Sequence, residues 1–312
     1  MSPDPAPFHG GLAEGPPGGF ARWLRASDGV RLRAGFWPLE GAGGTVCILP
    51  GRTEYIEKYG RVAAGLAARG FAAMAIDWRG QGLADRLLAD RAIGHVRRFA
   101  DYQRDLDAAL ALAAELLPGP RFMLAHSMGG CIGLRALSRG VAFGAVAFSA
   151  PMWDIPLPNN RPGLTRTLLQ GAVRAGMAAR YAPAPATGPE SYVATAPFDD
   201  NTLTGDRDHF DWMKAHLAAV PDLLLAGPSL GWLSAALDEC HALGRPPSPA
   251  LPALTFLGSR EQVVDPAPIR ARMARWPGGE LVEVEGARHE ILMERPETRT
   301  RFLDAAAALF AA

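Results

Sequence analysis

Phe122-Met-Leu-Ala-His-Ser-Met-Gly-Gly130 decides the reading of this chain. A short apolar run ends in Ala125-His126-Ser127-Met128-Gly129, and small, helix-compatible residues follow as far as Arg139. This is the pattern of a strand, a tight turn carrying a serine, and a helix, close to G-x-S-x-G with Ala125 at the first glycine position. The logic is steric. A serine on a sharp strand-to-helix turn brings its neighbours two before and two after close together, so both must be small, as Ala125 and Gly129 are. The helix behind Ser127 aims backbone N–H groups and a positive dipole end at whatever Ser127 attacks.

The same strand and helix alternation extends to both sides. Upstream, Thr45-Val-Cys-Ile-Leu49 and Phe71 to Ile76 are continuous apolar runs of the kind buried on both faces of a sheet. Helical patterns follow at Tyr55 to Arg69, with Gly70 as its C-cap, and at Phe99 to Leu117. Two short alternating runs, Phe20 to Arg25 and Val30 to Trp37, flank Ser27-Asp28-Gly29 and read as a hairpin. Downstream come a strand at Phe143 to Phe148, one at Leu251 to Leu257, and a last one at Glu280 to Val284, with helices at Pro266 to Arg275 and Arg295 to Phe310. The fold class is therefore α/β, a doubly wound and mainly parallel sheet, whose ligands bind at the carboxyl ends of the strands.

Between Met152 and Pro249 the alternation breaks. Helical patterns run over Leu164 to Tyr181, Asp208 to Val220 and Ser229 to Leu243, with no clear strand. We read residues 152–249 as a helical cap inserted into a core made of residues 20–151 and 250–312. Residues 1–19, rich in Pro and Gly, lack the pattern of a signal peptide and are expected to be a flexible lead-in.

The composition excludes several classes. Thirty-two Lys+Arg balance 32 Asp+Glu, so no field argues for a nucleic-acid partner. The basic run from Arg86 to Arg98 reads as a solvated face. Three cysteines, Cys47, Cys131 and Cys240, are too few for a disulfide framework and have no metal spacing. They fit a reducing, cytoplasmic compartment. No metal or organic cofactor is implied.

A serine hydroxyl needs a base to take its proton, and that base needs a carboxylate to fix its tautomer. Ser127 follows one strand, Asp265 a later one in Gly258-Ser-Arg-Glu-Gln-Val-Val-Asp265, and His289 the last in Gly286-Ala-Arg-His289. Serine, then acid, then histidine is the chain order of α/β-hydrolases. Asp238 and Glu261 are rivals for the acid: Asp238 belongs to a cap helix, and Glu261 comes early in its turn. The oxyanion hole is expected from the backbone N–H of Met128 and that of Arg52, in the turn after the Val46 strand. The Arg52 side chain has a second expected use, reaching a polar head group. His126 is expected to pack structurally, and Asp77, Arg79 and Asp154 to hold loops. Trp153, Phe210, Trp212 and Trp232 are candidates to line an acyl pocket under the cap.

Several stretches resemble one known family: Pro50-Gly-Arg-Thr-Glu-Tyr-Ile-Glu-Lys-Tyr59, Asp77-Trp-Arg-Gly-Gln-Gly82, His126-Ser-Met-Gly-Gly130, Ser149-Ala-Pro-Met152 and Gly286-Ala-Arg-His-Glu-Ile-Leu-Met293. Together they are similar to the lysophospholipase and monoacylglycerol-lipase branch of the α/β-hydrolase superfamily, the bacterial lysophospholipase L2-like proteins above all. In the cap, Asn201-Thr-Leu-Thr204 and Gly227-Pro-Ser-Leu-Gly-Trp232 share the likeness. The resemblance implies an α/β-hydrolase fold with Ser127 as nucleophile, Asp265 as acid and His289 as base. The implied activity is hydrolysis of a monoacyl lipid ester, with acyl transfer, amide hydrolysis or a silent binding role as alternatives. Transient contact of the cap with a membrane surface is a further expectation. Pro50-Gly51-Arg52 departs from the His-Gly pair that opens this loop in many lipases.

Overall fold

In the computed structural model, which describes residues 4–157, 162–183 and 188–312, nine strands form one sheet in the order β1-β2-β3-β5-β4-β6-β7-β8-β9. β1 (Pro5–Ala6), β2 (Phe20–Arg25) and β3 (Arg31–Trp37) are antiparallel, and β3 joins β5 (Ala72–Asp77) antiparallel. From β5 on, β4 (Thr45–Leu49), β6 (Arg121–His126), β7 (Val146–Ser149), β8 (Ala253–Gly258) and β9 (Gly279–Val284) are parallel.

The helices are α1 (Gly10–Ala13), α2 (Gly60–Ala67), α3 (Asp101–Leu116), α4 (Met128–Ser138), α5 (Pro162–Ala172), α6 (Tyr192–Thr195), α7 (Arg207–Ala219), α8 (Leu230–Leu243), α9 (Pro266–Met273) and α10 (Pro296–Ala311). Strand alternation divides the interior into two layers. Cys47, Leu49, Met123 and Ala125 point to one, with Leu106 of α3, Ile132 of α4, Trp232 of α8 and Ile269 of α9. Val46, Ile48, Phe122 and Leu124 point to the other, with Val62 of α2, Phe210 of α7 and Phe302 of α10. The three cysteines are buried and unpaired.

α5 to α8 all fall between β7 and β8, which nonetheless pair directly. This insertion meets the loops at the strand ends: Gly94 N–H donates to Gly227 O, and His289 and Glu290 N–H donate to Thr202 and Leu203 O.

The N-terminal stretch corrects the expectation of a flexible lead-in. Pro5 and Ala6 pair with Arg22 and Ala21, Arg33 donates to Pro7 O at 2.9 Å, and Trp212 donates to Leu12 O at 3.1 Å. Glycine and proline richness here reflects tight turns packed against a wall. Gly15 and Gly19 lie on the Trp37 indole, where a Cβ would collide.

Arg33 is buried on β3 between two carboxylates, Glu57 at 2.8 Å and Asp77 at 2.7 Å. Asp77 also takes the N–H groups of Ile56 and Leu83 at 2.8 Å, so it holds loops, as expected. Removing the guanidinium would leave two buried carboxylates unneutralised. Arg33→Met is expected to lower stability by about 3–5 kcal/mol in urea unfolding, whereas a loss under about 1 kcal/mol would mean the pair behaves as a surface salt bridge.

Candidate active site

Ser127 sits between β6 and α4 at φ 50°, ψ −118°, a left-handed conformation that side chains other than glycine rarely hold and that costs about 1–3 kcal/mol. The sheet over-determines it. Ser127 N–H donates to Ser149 O at 3.1 Å, and Met152 N–H donates to Ser127 O at 2.8 Å. Gly129 is pressed on the Leu49 and Pro50 carbonyls, so a Cβ there would clash. This is the physical need for the small residue two places after the serine. Met128 opens α4, where an N–H has no intrahelical acceptor.

The turn after β4 is fixed from three sides. Trp78 Nε1–H donates to Pro50 O at 2.9 Å, and Gln81 Nε2–H donates to Gly51 O at 2.8 Å. Gly51 N–H donates to the Glu54 carboxylate, which also accepts from Lys58 and Tyr59 at 2.6 Å each. Burial opposes the charge on Glu54, but Lys58 outweighs it and holds the carboxyl down at about 2. The Trp78 and Gln81 motif thus serves the loop that carries Arg52. Glu54, Trp78 and Gln81 did not stand out in the sequence as site residues, since each acts through backbone it touches.

His289 lies in the loop after β9 with its ring 4.7 Å from that of His126, the residue before Ser127. His126 itself is buried, with Nδ1 3.0 Å from Ser149 O, and burial pushes its imidazole down to about 3, so it is neutral.

The carboxylate on His289 is Glu261. Its Oε2 lies 2.7 Å from His289 Nδ1, and its other oxygen accepts Val263 and Val264 N–H at 2.6 and 3.1 Å. The structure does not bring Asp265 to His289. Asp265 caps α9, its side chain accepting Ala267 N–H at 2.9 Å. The reason is legible in Asp265-Pro266: aspartate before a proline at the first helical position is an N-cap signature. Glu261, three residues past the end of β8, has the reach that Asp265 spends on its helix. Asp238 bonds Arg166 and Gln170 within the insertion.

Burial disfavours the imidazolium of His289, but the Glu261 charge and hydrogen bond outweigh it and raise the pKa above the usual value. Burial likewise opposes ionisation of Glu261, and His289 with the two backbone N–H groups outweighs it, holding the carboxyl low.

Of the aromatic candidates, Trp232 approaches this region. Its Nε1–H donates to Tyr102 OH at 3.2 Å, and the Arg52 guanidinium lies 5.4 Å from its ring. Trp153 faces the core, donating to Gly130 O at 3.3 Å and packing on Phe148 and Trp276. Phe210 and Trp212 are not brought to Ser127: they pack in the opposite layer, Trp212 against His216 and the Leu12 carbonyl. Helical periodicity could not reveal on which side of the sheet α7 would lie.

Glu54, His126 and Glu290 place donor atoms within 4.8 Å of one another, the one such triplet among the described residues. Lys58 bonds Glu54 at 2.6 Å and Glu290 at 2.5 Å, so a metal would have to displace the protein's own ammonium.

The sheet order, the elbow and the late-chain His–carboxylate pair define an α/β-hydrolase. The chain belongs to the family described as "Serine aminopeptidase, S33", whose model matches residues 41–296. It is similar to lysophospholipase L2 of Escherichia coli (strain K12), 35% identical over 279 residues that cover 85% of this chain and 79% of that protein. It is also similar to the probable lysophospholipase L2 of Haemophilus influenzae, 26% identical, covering 82% and 80%. A soluble variant of monoglyceride lipase from Saccharomyces cerevisiae, solved with a substrate analogue, shares the fold at TM-score 0.70 and 20% identity, covering 92% of this chain and 93% of that one. A thermostable carboxyl esterase from Bacillus coagulans matches at TM-score 0.75 and 16% identity, covering 94% and 98%.

Two substitutions separate the carboxylates. Glu261→Gln is expected to lower kcat on any ester substrate by about 10³–10⁴-fold. Asp265→Ala is expected to cost about 1 kcal/mol of stability for the lost cap and to leave kcat within a few-fold. The reverse pattern would return the acid role to Asp265. The pH profile carries the same information. A base must be neutral to accept a proton, so activity falls as pH drops through the His289 pKa. The acid limb of kcat/KM is expected above about 6.5, and residual Glu261→Gln activity should show it displaced downward.

Proposed function

We propose that this protein is a serine hydrolase that cleaves carboxylic esters of monoacyl lipids through an acyl-enzyme. The observation that carries the reading is the Glu261–His289 hydrogen bond at 2.7 Å, with the His289 ring 4.7 Å from that of His126, the residue before a serine on a strained elbow. Ser127 is the nucleophile, His289 its base and Glu261 the group that fixes the His289 tautomer and stabilises the imidazolium. His289 takes the Ser127 proton as Oγ attacks the ester carbonyl, then gives it to the leaving alkoxide. Water repeats the cycle to release the fatty acid. Backbone N–H groups of Met128 and Arg52 hold the oxyanion, each worth about 10²–10³ in kcat.

The lysophospholipase and monoglyceride lipase relatives support the lipid substrate. Residues 152–249 form the cap over the strand ends and receive the acyl chain, with Trp232 as the aromatic nearest the site. Leu164 and Leu168, one turn apart on α5, are 47% and 64% exposed, which suits contact with an aggregated lipid surface. Among the described residues no helix is long and apolar enough to cross a membrane.

The name of the family model favours a second reading, amide hydrolysis by the same residues. A monoacyl ester and an amino-acid p-nitroanilide, assayed side by side, separate the two. Turnover of the ester alone is expected. Ser127→Ala should abolish that turnover and fluorophosphonate labelling while leaving the unfolding midpoint within a few degrees; retained turnover would sink the assignment.

A further inference from the structure

Among the described residues most buried cations face carboxylates. Arg33 has Glu57 and Asp77, Lys58 has Glu54 and Glu290, and Arg79 has Asp28 and Asp105. Arg52 does not. Among the described residues its guanidinium has one hydrogen-bond acceptor, the Ala226 carbonyl, and no carboxylate. Its Nε is closed off from solvent and has no partner. Arg86 and Arg272 also lack carboxylates, and the Arg86 Nε is likewise without a partner, but Arg86 reaches the carbonyls of Gly80, Asp222 and Leu224, and Arg272 has Leu243 O and Ser248 Oγ, against the single acceptor of Arg52.

The surroundings of Arg52 are neutral and built to admit it. The Trp232 ring lies 5.4 Å away. Gly94 runs beneath the guanidinium, and a Cβ there would stand 2.8 Å from Nη2 and 3.2 Å from Nε. Gly94 is itself locked to the cap through Gly227 O and Ser229 N–H, at 3.1 and 2.8 Å. Burial with no counter-charge lowers the guanidinium pKa to about 10. A half-buried charge with no counter-charge costs free energy that an anion would return. Arginine's planar fork suits the oxygens of a phosphate.

We propose that the Arg52 guanidinium is the subsite for the phosphate of the substrate's head group, so that the preferred substrate is a lysophospholipid and not a neutral monoacylglycerol. The inference rests on the ester-hydrolase reading and deepens it. Chain geometry supports it. Three methylenes and Nε separate the Arg52 backbone from its guanidinium carbon. Three glycerol carbons, flanked by two ester oxygens, separate a lysophospholipid's ester carbonyl from its phosphorus. One residue can therefore hold the carbonyl oxygen with its N–H and the phosphate with its side chain.

The test compares 1-palmitoyl-lysophosphatidylcholine with 1-palmitoylglycerol and reads the ratio of their kcat/KM values, which a general loss of activity does not move. Arg52→Gln is expected to lower that ratio by about 10- to 100-fold, and Arg52→Lys by less. Gly94→Ala, which crowds the guanidinium without removing it, should lower the ratio in the same direction. A ratio unchanged within a few-fold in both Arg52→Gln and Gly94→Ala would overturn the subsite. Inorganic phosphate, at constant ionic strength, distinguishes a head group from a free anion. It should raise KM for the lysophospholipid only, and an equal effect on both lipids would assign the site to a free anion instead. If the wild type cleaves neither lipid, the hydrolase reading falls first and this inference with it.

Discussion

The site depends on a backbone that does not relax. Ser127 is held at positive φ because β6 ends against β7 and because its own carbonyl is tied to Met152 N–H, the start of the chain leaving β7. The parallel register of Ala125 with Leu49 and Phe148 brings two neighbouring strand ends level with the serine. The surrounding residues leave such ends: the Arg52 turn from β4, the Trp78 and Gln81 loop that holds it from β5, Glu261 from β8 and His289 from the loop after β9. A strained residue of this kind persists only when its surroundings cost more to rearrange than the strain releases. Here they are a buried sheet whose cross-strand hydrogen bonds would all have to shift.

A second layer of constraint is electrostatic. Lys58 sits between Glu54 and Glu290, and Glu54 in turn holds the Gly51 amide. The turn that carries Arg52 is therefore anchored by buried charges on Glu54, Lys58 and Glu290. His126 stands between this cluster and His289, neutral because it is buried, so it adds bulk against the His289 ring without adding charge. Charge near His289 comes mainly from Glu261, directed at Nδ1.

Much of this was legible in the residues. Apolar runs of strand length gave the parallel sheet, because such strands are buried on both sides. Small residues around Ser127 gave the elbow, because its contacts are with backbone and any larger side chain collides. The placement of Ser127, a carboxylate and His289 after successive strands was also written in the residues. What escaped was decided by reach and by tertiary side. Glu261 and Asp265 sit in one turn, and only the competing demand of the α9 cap on Asp265 separates them. Phe210 and Trp212 carry the aromatic character of a lipid pocket, yet α7 lies across the sheet from the elbow helix. The first residues looked like a loose tail by composition, since proline and glycine mark tight packing turns as readily as free ones.

That docked tail has a meaning for solubility and handling. A sheet with an open margin offers unpaired N–H and C=O groups to any passing strand, a route to aggregation. β1 is two residues long and lies along β2, closing that margin with a strip too short to recruit a partner. At the opposite margin β9 carries Glu280 and Glu283, and Arg270 is paired to Glu283 at 2.8 Å. Charge guards one side and brevity the other. Trimming the chain to begin at Phe20 would strip β2 of its cover, turning a protected margin into an adhesive one, and would also take away the carbonyl partners of Arg33 and Trp212.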